Sequence, residues 1–60
     1  MQLELAQKLR DLAIKVDPGL DVEATPLRRG EYAAIVTDSG RVVYGNSNYG
    51  RVRAFLLTGA

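Results

Sequence analysis

The sequence lacks both cysteine and histidine. Without cysteine it has neither disulfides nor a thiol nucleophile, and without histidine it lacks the commonest zinc ligand and the usual general base near neutral pH. A chain of 60 residues can also scarcely enclose a ligand pocket of about 300 Å³ or more. We therefore expect a protein that is not an enzyme, takes no small-molecule substrate, and has no catalytic residue, metal or cofactor.

Long apolar segments are missing as well. The longest uninterrupted apolar run covers residues 32–36, whereas a secretory signal needs roughly 7–15 apolar residues and a membrane-spanning helix roughly 20. We therefore expect no targeting segment and no contact with a membrane. A reducing cytoplasm is the expected location of a chain without cysteine.

Two short patterns look like ligand sites but lack essential residues. Gly45 and Gly50 have the spacing of a phosphate-binding loop, but Arg51 follows where that loop needs lysine. Residues 17–23 contain three carboxylates, but these do not occupy alternate positions around a central glycine, as the ligands of a calcium loop do. Neither pattern predicts a binding site.

What is present is the composition of an ordinary globular domain, with 47% hydrophobic residues, 25% charged residues and a net charge of +1. We expect one domain over residues 1–60. Residues 1–27 carry three basic and five acidic side chains, whereas residues 28–60 carry five basic and two acidic ones, and all five are arginine. Arginine suits bidentate contacts with carboxylates or phosphates, although a coding bias toward arginine gives the same count.

The first segment with helical periodicity covers residues 2–16. Leu5, Leu9, Leu12 and Val16 fall on one helical face, with two alanines beside them, so this face is predicted to be buried. The sequence Asp-Pro-Gly follows directly and ends the helix, because proline cannot continue it.

Three strands are predicted next, over residues 20–25, 32–37 and 41–44. The first alternates between apolar and polar residues as a half-buried strand does, and the second is apolar on both faces. Residues 28–31 and 38–40 have the composition of turns. Connections this short favour an antiparallel meander with the second strand in the centre.

Residues 49–58 fit two structures. Tyr49, Val52 and Leu56 recur at helical spacing, serine and asparagine precede them as candidate caps, and a glycine follows. Residues 51–54 alternate, so a fourth strand is the alternative. With the helix, the predicted fold is a single small α+β domain in the order α-β-β-β-α, with a three-stranded antiparallel meander packed with two helices.

The register of the second hairpin decides which residues share a sheet face. A bulged loop over residues 38–40 groups Tyr32 and Val36 with Val42 and Tyr44, whereas a two-residue turn shifts the pairing by one and regroups these sets. If both helices cover one face, the other is left apolar and exposed, as a partner surface is. One helix on each face is the alternative and closes the core internally.

These features predict a small non-catalytic protein-interaction module of the regulator or inhibitor type. We expect it to form a homodimer or to bind another macromolecule through an apolar sheet face, because so small a core gains stability from association. Tyrosine and arginine are residue types that anchor interfaces. The candidate contact residues are Tyr32, Val36, Arg41, Val42, Tyr44, Tyr49, Arg51 and Arg53.

The alternative function is nucleic-acid binding. In this hypothesis the sheet enters a groove or stacks on unpaired bases, and arginines contact phosphates. The arginines must then converge on one side of the molecule, and a net charge of +1 does not favour it. The residues in question are Arg28, Arg29, Arg41, Arg51 and Arg53.

Overall fold

The computed structural model describes residues 1–59 and contains two helices and three strands. The order is α-β-β-β-α, so the predicted α+β fold class is confirmed, and residues 49–58 form a helix rather than a fourth strand. The elements are α1 (Leu3–Val16), β1 (Leu20–Arg28), β2 (Glu31–Asp38), β3 (Arg41–Asn46) and α2 (Tyr49–Thr58). None of the helices in residues 1–59 is long and apolar enough to cross a membrane.

The sheet is an antiparallel meander with β2 in the centre. Asp38 pairs directly with Arg41, so the second hairpin closes through the two-residue turn rather than the bulged loop. Both turn residues, Ser39 (φ 51°) and Gly40 (φ 86°), have positive φ. That backbone matches the right-handed twist of the flanking strands, which is why tight hairpins prefer it.

All three strands are longer than predicted. β1 continues through Pro26 to Arg28, with a register shift between these two residues. Pro26 is tolerated because β1 is an edge strand, where a missing N–H breaks no internal hydrogen-bond ladder. β3 continues through Gly45, which was predicted to lie beyond the end of the sheet. A Cβ at Gly45 would lie 3.1 Å from the δ-methyl of Ile35 on the neighbouring strand, so the glycine provides the space that this side chain occupies.

Both helices pack on the same face of the sheet, which excludes the alternative of one helix on each face. α1 contacts β1 and β2, α2 contacts β2 and β3, and the two helices touch each other. Their buried residues form one core with the inward side chains of the strands. Its largest fully buried side chains are Leu9, Val36 and Val52.

The buried stripe of α1 is centred differently from the prediction. Ala6, Leu9 and Ala13 are buried, whereas Val16 is 46% exposed. The alanines face the sheet because their small side chains allow the helix backbone to approach it, and the larger leucines beside them are half-buried. Val16 lies in the last turn of α1, beyond the part that packs on the core.

The helix α2 has capping interactions at both ends. The Asn48 side chain accepts a hydrogen bond from the Arg51 N–H (3.0 Å), and Gly59, with φ 76°, donates its N–H to the Phe55 carbonyl (2.7 Å). Both positions were predicted as helix boundaries. Asparagine at the N-cap and a left-handed glycine at the C-terminus satisfy backbone groups that a helix end leaves unpaired.

Met1 attaches the start of the chain to the central strand. Its carbonyl accepts the Tyr32 N–H (2.8 Å), and its amino group donates to the carbonyls of Tyr32 (2.7 Å) and Ser47 (3.0 Å). The Glu31 carboxylate lies 3.4 Å from the same amino group. These contacts fix the residue that begins the chain to the backbone of β2, two residues before α1.

Candidate interaction surface

The face of the sheet that the helices leave uncovered is called the open face here. Its centre is Ala33, Ile35 and Thr37 of β2, which alternate with the buried Ala34 and Val36. Residues paired directly across neighbouring strands share a face, and the register therefore adds residues from both edge strands. These are Asp21, Glu23 and Thr25 of β1 and Val42 and Gly45 of β3.

The apolar part of the open face lies over β2 and β3. Val42 is 69% exposed, and Ile35 is half-buried although no helix covers it. The Ile35 side chain owes this burial partly to Gly45, because its δ-methyl lies over the glycine. This part of the open face is therefore shallow, and Ile35 is the large side chain at its centre.

The charged residues of the open face lie at its β1 border. On β1, Glu23 is exposed and forms no ion pair within residues 1–59, whereas Asp21 binds the Arg10 guanidinium of α1 (Nε to Oδ1, 3.1 Å). On β3, Arg41 is exposed and is likewise without an ion pair in the part of the chain that the structure describes. The β1 border of the open face is therefore acidic, whereas Arg41 pairs with Asp38 and so lies on the covered side of the sheet.

The bulged-loop alternative, which groups Tyr32, Val36, Val42 and Tyr44 on one face, does not hold for Val42. The two-residue turn pairs Val42 with Thr37 on the open face, while Val36 is completely buried under the helices. Tyr44 still pairs with Val36, because a bulge at Val43 inserts one extra residue and shifts the register back. Hydrophobic alternation in β3 does not reveal this bulge.

The tyrosines lie on the covered side rather than on the open face. The Tyr44 ring stacks on Phe55 of α2, with 4.5 Å between ring centroids and 8° between ring planes, and its hydroxyl accepts a hydrogen bond from the Asn46 side chain (3.3 Å). Tyr49 packs against the core as a half-buried residue, and Tyr32 is also half-buried. Each of the three contributes to the packing of this chain itself.

The arginines do not converge on one side. Arg28 and Arg29 lie at one end of the sheet, and Arg41 lies at the other, seven residue pairs along β2, which corresponds to about 23 Å. Arg51 and Arg53 are exposed on α2, behind the sheet as seen from the open face. Of the residues predicted for protein contact, only Val42 has its side chain on the open face.

Other parts of the surface offer little for a ligand. A groove between α1 and β1 has a volume of about 160 Å³ and is lined by Leu3, Ala6, Gln7, Arg10, Val22 and Ala24. Small-molecule sites usually have about 300–1,000 Å³. Within residues 1–59, no three acidic side chains come together as a possible metal site.

No protein-family model, no curated protein and no solved structure matches this chain.

Proposed function

We propose that this protein is a non-catalytic interaction module whose open face binds another protein. The observation that carries the proposal is the placement of both helices on one face of the sheet. This leaves Ile35 and Val42 without cover on the other. Apolar sheet faces are normally packed against a second layer, and an uncovered one is a common contact surface.

The chemistry of the open face supports a protein partner more than a nucleic acid. Its centre is apolar and carries no arginine, and its β1 border is acidic. Phosphate groups would be repelled by Glu23, and the five arginines of the nucleic-acid hypothesis are spread over both ends of the sheet and α2. A polyanion requires the opposite distribution of charge.

The regulator or inhibitor role follows from the same surface. A chain with one exposed face and a groove of only about 160 Å³ acts by occupying a surface of its partner, because it has too little enclosed volume to process a substrate. We place this action in the cytoplasm, the location expected for a chain without cysteine.

A site-specific cross-linking experiment tests this function. A photoreactive phenylalanine analogue is placed at Val42, on the open face, and in a matched control at Lys8, on the exposed side of α1. We expect illumination in cells to give a discrete protein adduct for position 42 and none for position 8. Both positions are exposed, so either substitution leaves the core intact.

The proposal is tested by which of the two positions, 42 or 8, forms cross-linked adducts. A discrete adduct formed only at position 42 supports the open face as a protein-binding surface. Absence of adducts at both positions, or the same adducts at both, contradicts it.

A further inference from the structure

The outer edge of β1 has no neighbouring strand. In the sheet order β1-β2-β3, β1 pairs with β2 alone, so its other side is available to a strand from another chain. Edges of this kind are a common route to unwanted strand pairing and aggregation, and natural proteins block them. The contacts of β1 show which of its outward N–H groups are free to pair.

Two contacts of Tyr32 reveal which residues of β1 point outward. The Tyr32 N–H and carbonyl both bond to Met1, and the partner of Tyr32 on β1 is Pro26, which has no N–H. This pair therefore exchanges no hydrogen bonds, and in an antiparallel ladder every second pair is of the same kind. Because the register is unbroken from Val22 to Pro26, the N–H groups of Ala24 and Val22 also point away from β2.

Most of the outward N–H groups of β1 are already occupied or are missing. That of Leu20 donates to the Asp17 carbonyl (3.0 Å), and that of Val22 donates to the Asp21 carboxylate (2.9 Å). The proline in the same row has none. In this stretch of the described chain, Ala24 therefore retains the one free outward donor.

Asp21 reaches this edge from the open face. Its backbone pairs with Thr37 on that face, yet its carboxylate binds the Arg10 guanidinium of α1, which packs on the covered side of the sheet. The same oxygen, Oδ1, accepts the Val22 N–H at 2.9 Å and the Arg10 Nε at 3.1 Å. The Asp21 side chain therefore crosses the free edge of β1 and is held there by one donor from the strand and one from the helix.

We infer that Asp21, held by Arg10, blocks the outer edge of β1 against pairing with a strand from another chain. A strand added to this edge would need the Val22 N–H as a donor, and its backbone would occupy the place of the Asp21 carboxylate. Addition therefore has to break an ion pair and a charge-assisted hydrogen bond. This role of Asp21 goes beyond the proposed function, because the edge of the sheet and the open face are different surfaces.

Hydrogen exchange of the Val22 amide tests the contact itself, in solutions dilute enough for the chain to be monomeric. Asp21→Ala removes the acceptor of this N–H and is expected to speed its exchange about tenfold or more, as the loss of a hydrogen bond to a charged group does. Glu23→Ala is the matched control, since Glu23 is exposed on the same strand and face and forms no ion pair in residues 1–59. In this control the exchange rate should stay within about twofold of the original.

Self-association tests the blocking role. Sedimentation equilibrium between about 10 μM and 1 mM compares the original chain with the same two variants. Asp21→Ala is expected to associate at least about tenfold more tightly than the original, because it lacks the side chain that an added strand has to displace. Glu23→Ala removes a carboxylate from the same face and should change association by less than about threefold.

A second substitution locates the association on β1. Ala24→Pro removes the remaining outward N–H, and proline is tolerated at such a position of an edge strand. Added to Asp21→Ala, it is expected to return association to the level of the original chain. Circular dichroism and thermal unfolding check that each variant is folded.

Arg10→Gln tests the same contact from the helix. This change leaves β1 unaltered and releases the Asp21 carboxylate from α1. The Val22 amide is then expected to exchange about two- to fivefold faster, which is the effect of losing an exposed ion pair. The variant keeps the test decisive if Asp21→Ala does not fold.

Exchange and association together decide the role of Asp21. Faster exchange at Val22, with tighter association that Ala24→Pro reverses, supports the blocking role. Association of Asp21→Ala equal to that of Glu23→Ala, or association that persists with Ala24→Pro, overturns it. Unchanged exchange at Val22 in both Asp21→Ala and Arg10→Gln overturns the contact on which the role depends.

Discussion

Each face of the sheet carries a valine near its centre, and the two valines have opposite environments. Val36 and Val42 are both valines on neighbouring strands, yet the first is completely buried and the second is 69% exposed. Alternation along β2 assigns each residue to a face, but this strand is apolar on both faces, so its pattern does not say which face is covered. The difference arises from the placement of α1 and α2 on the same side, so apolar character in this sheet is not by itself a sign of core position.

The largest effect is expected from the centre of the covered side. Leu9→Ala removes a fully buried side chain and should reduce the free energy of unfolding by about 2–5 kcal/mol, through lost burial and the cavity left behind. A domain of this size has a total stability of only roughly 3–9 kcal/mol, so the variant is expected to be largely unfolded. Urea denaturation followed by circular dichroism measures this change.

The matched control for Leu9→Ala is Ile14→Ala on the same helix. Ile14 is 51% exposed, so its replacement should change the free energy of unfolding by less than about 1 kcal/mol. Equal losses for the two variants would mean that the covered side does not have the packing described here.

An intermediate effect is expected when the same substitution, valine to threonine, is made on each face of the sheet. Val36→Thr keeps the shape of the side chain but buries a hydroxyl in an apolar core, at a cost of about 1–3 kcal/mol. Val42→Thr makes the same change at an exposed position and should alter the free energy of unfolding by no more than about 0.5 kcal/mol. Thermal unfolding at low protein concentration resolves the pair, and the reverse order would contradict the assigned register of β3.

The smallest effect is expected on the open face itself. Gly45→Ala brings a Cβ within 3.1 Å of the Ile35 δ-methyl, but Ile35 has no helix above it and can rotate toward solvent. The free energy of unfolding should therefore fall by less than about 1 kcal/mol, because the lower entropy of the unfolded chain partly offsets the contact. Gly40→Ala is the contrasting variant, because its φ of 86° strains any residue with a Cβ and should cost more.

Sequence patterns identified the elements of this fold better than their packing. Leu9 was correctly predicted to be buried, Gly59 was correctly placed at the end of α2, and Asn48 is the one of the two candidate caps that begins this helix. The prediction for Val16 was wrong because helical periodicity does not report where the helix leaves the sheet. Gly45 was misplaced because glycine usually ends a strand, whereas here Ile35 on the neighbouring strand requires the free space.

The candidate surface could be predicted from the sequence only in part. An apolar central strand was evident, and with it the need to cover two faces. The choice of Tyr32, Val36 and Tyr44 as exposed contacts depended on the hairpin register and on which face the helices cover. The bulge at Val43 and the packing of Tyr44 on Phe55 depend on residues far apart in the chain, and local patterns do not encode them.

Local chemistry in the chain was enough to specify two helices, three strands and their order. Proline, glycine and asparagine end or begin elements through their own backbone preferences, and periodicity depends only on neighbouring residues. The side of the sheet on which both helices lie, and therefore the exposure of Ile35 and Val42, was settled by long-range packing. The placement depends on how α1 and α2 pack against each other and against the strands. It buries one face of the sheet in the core and leaves the other exposed to solvent.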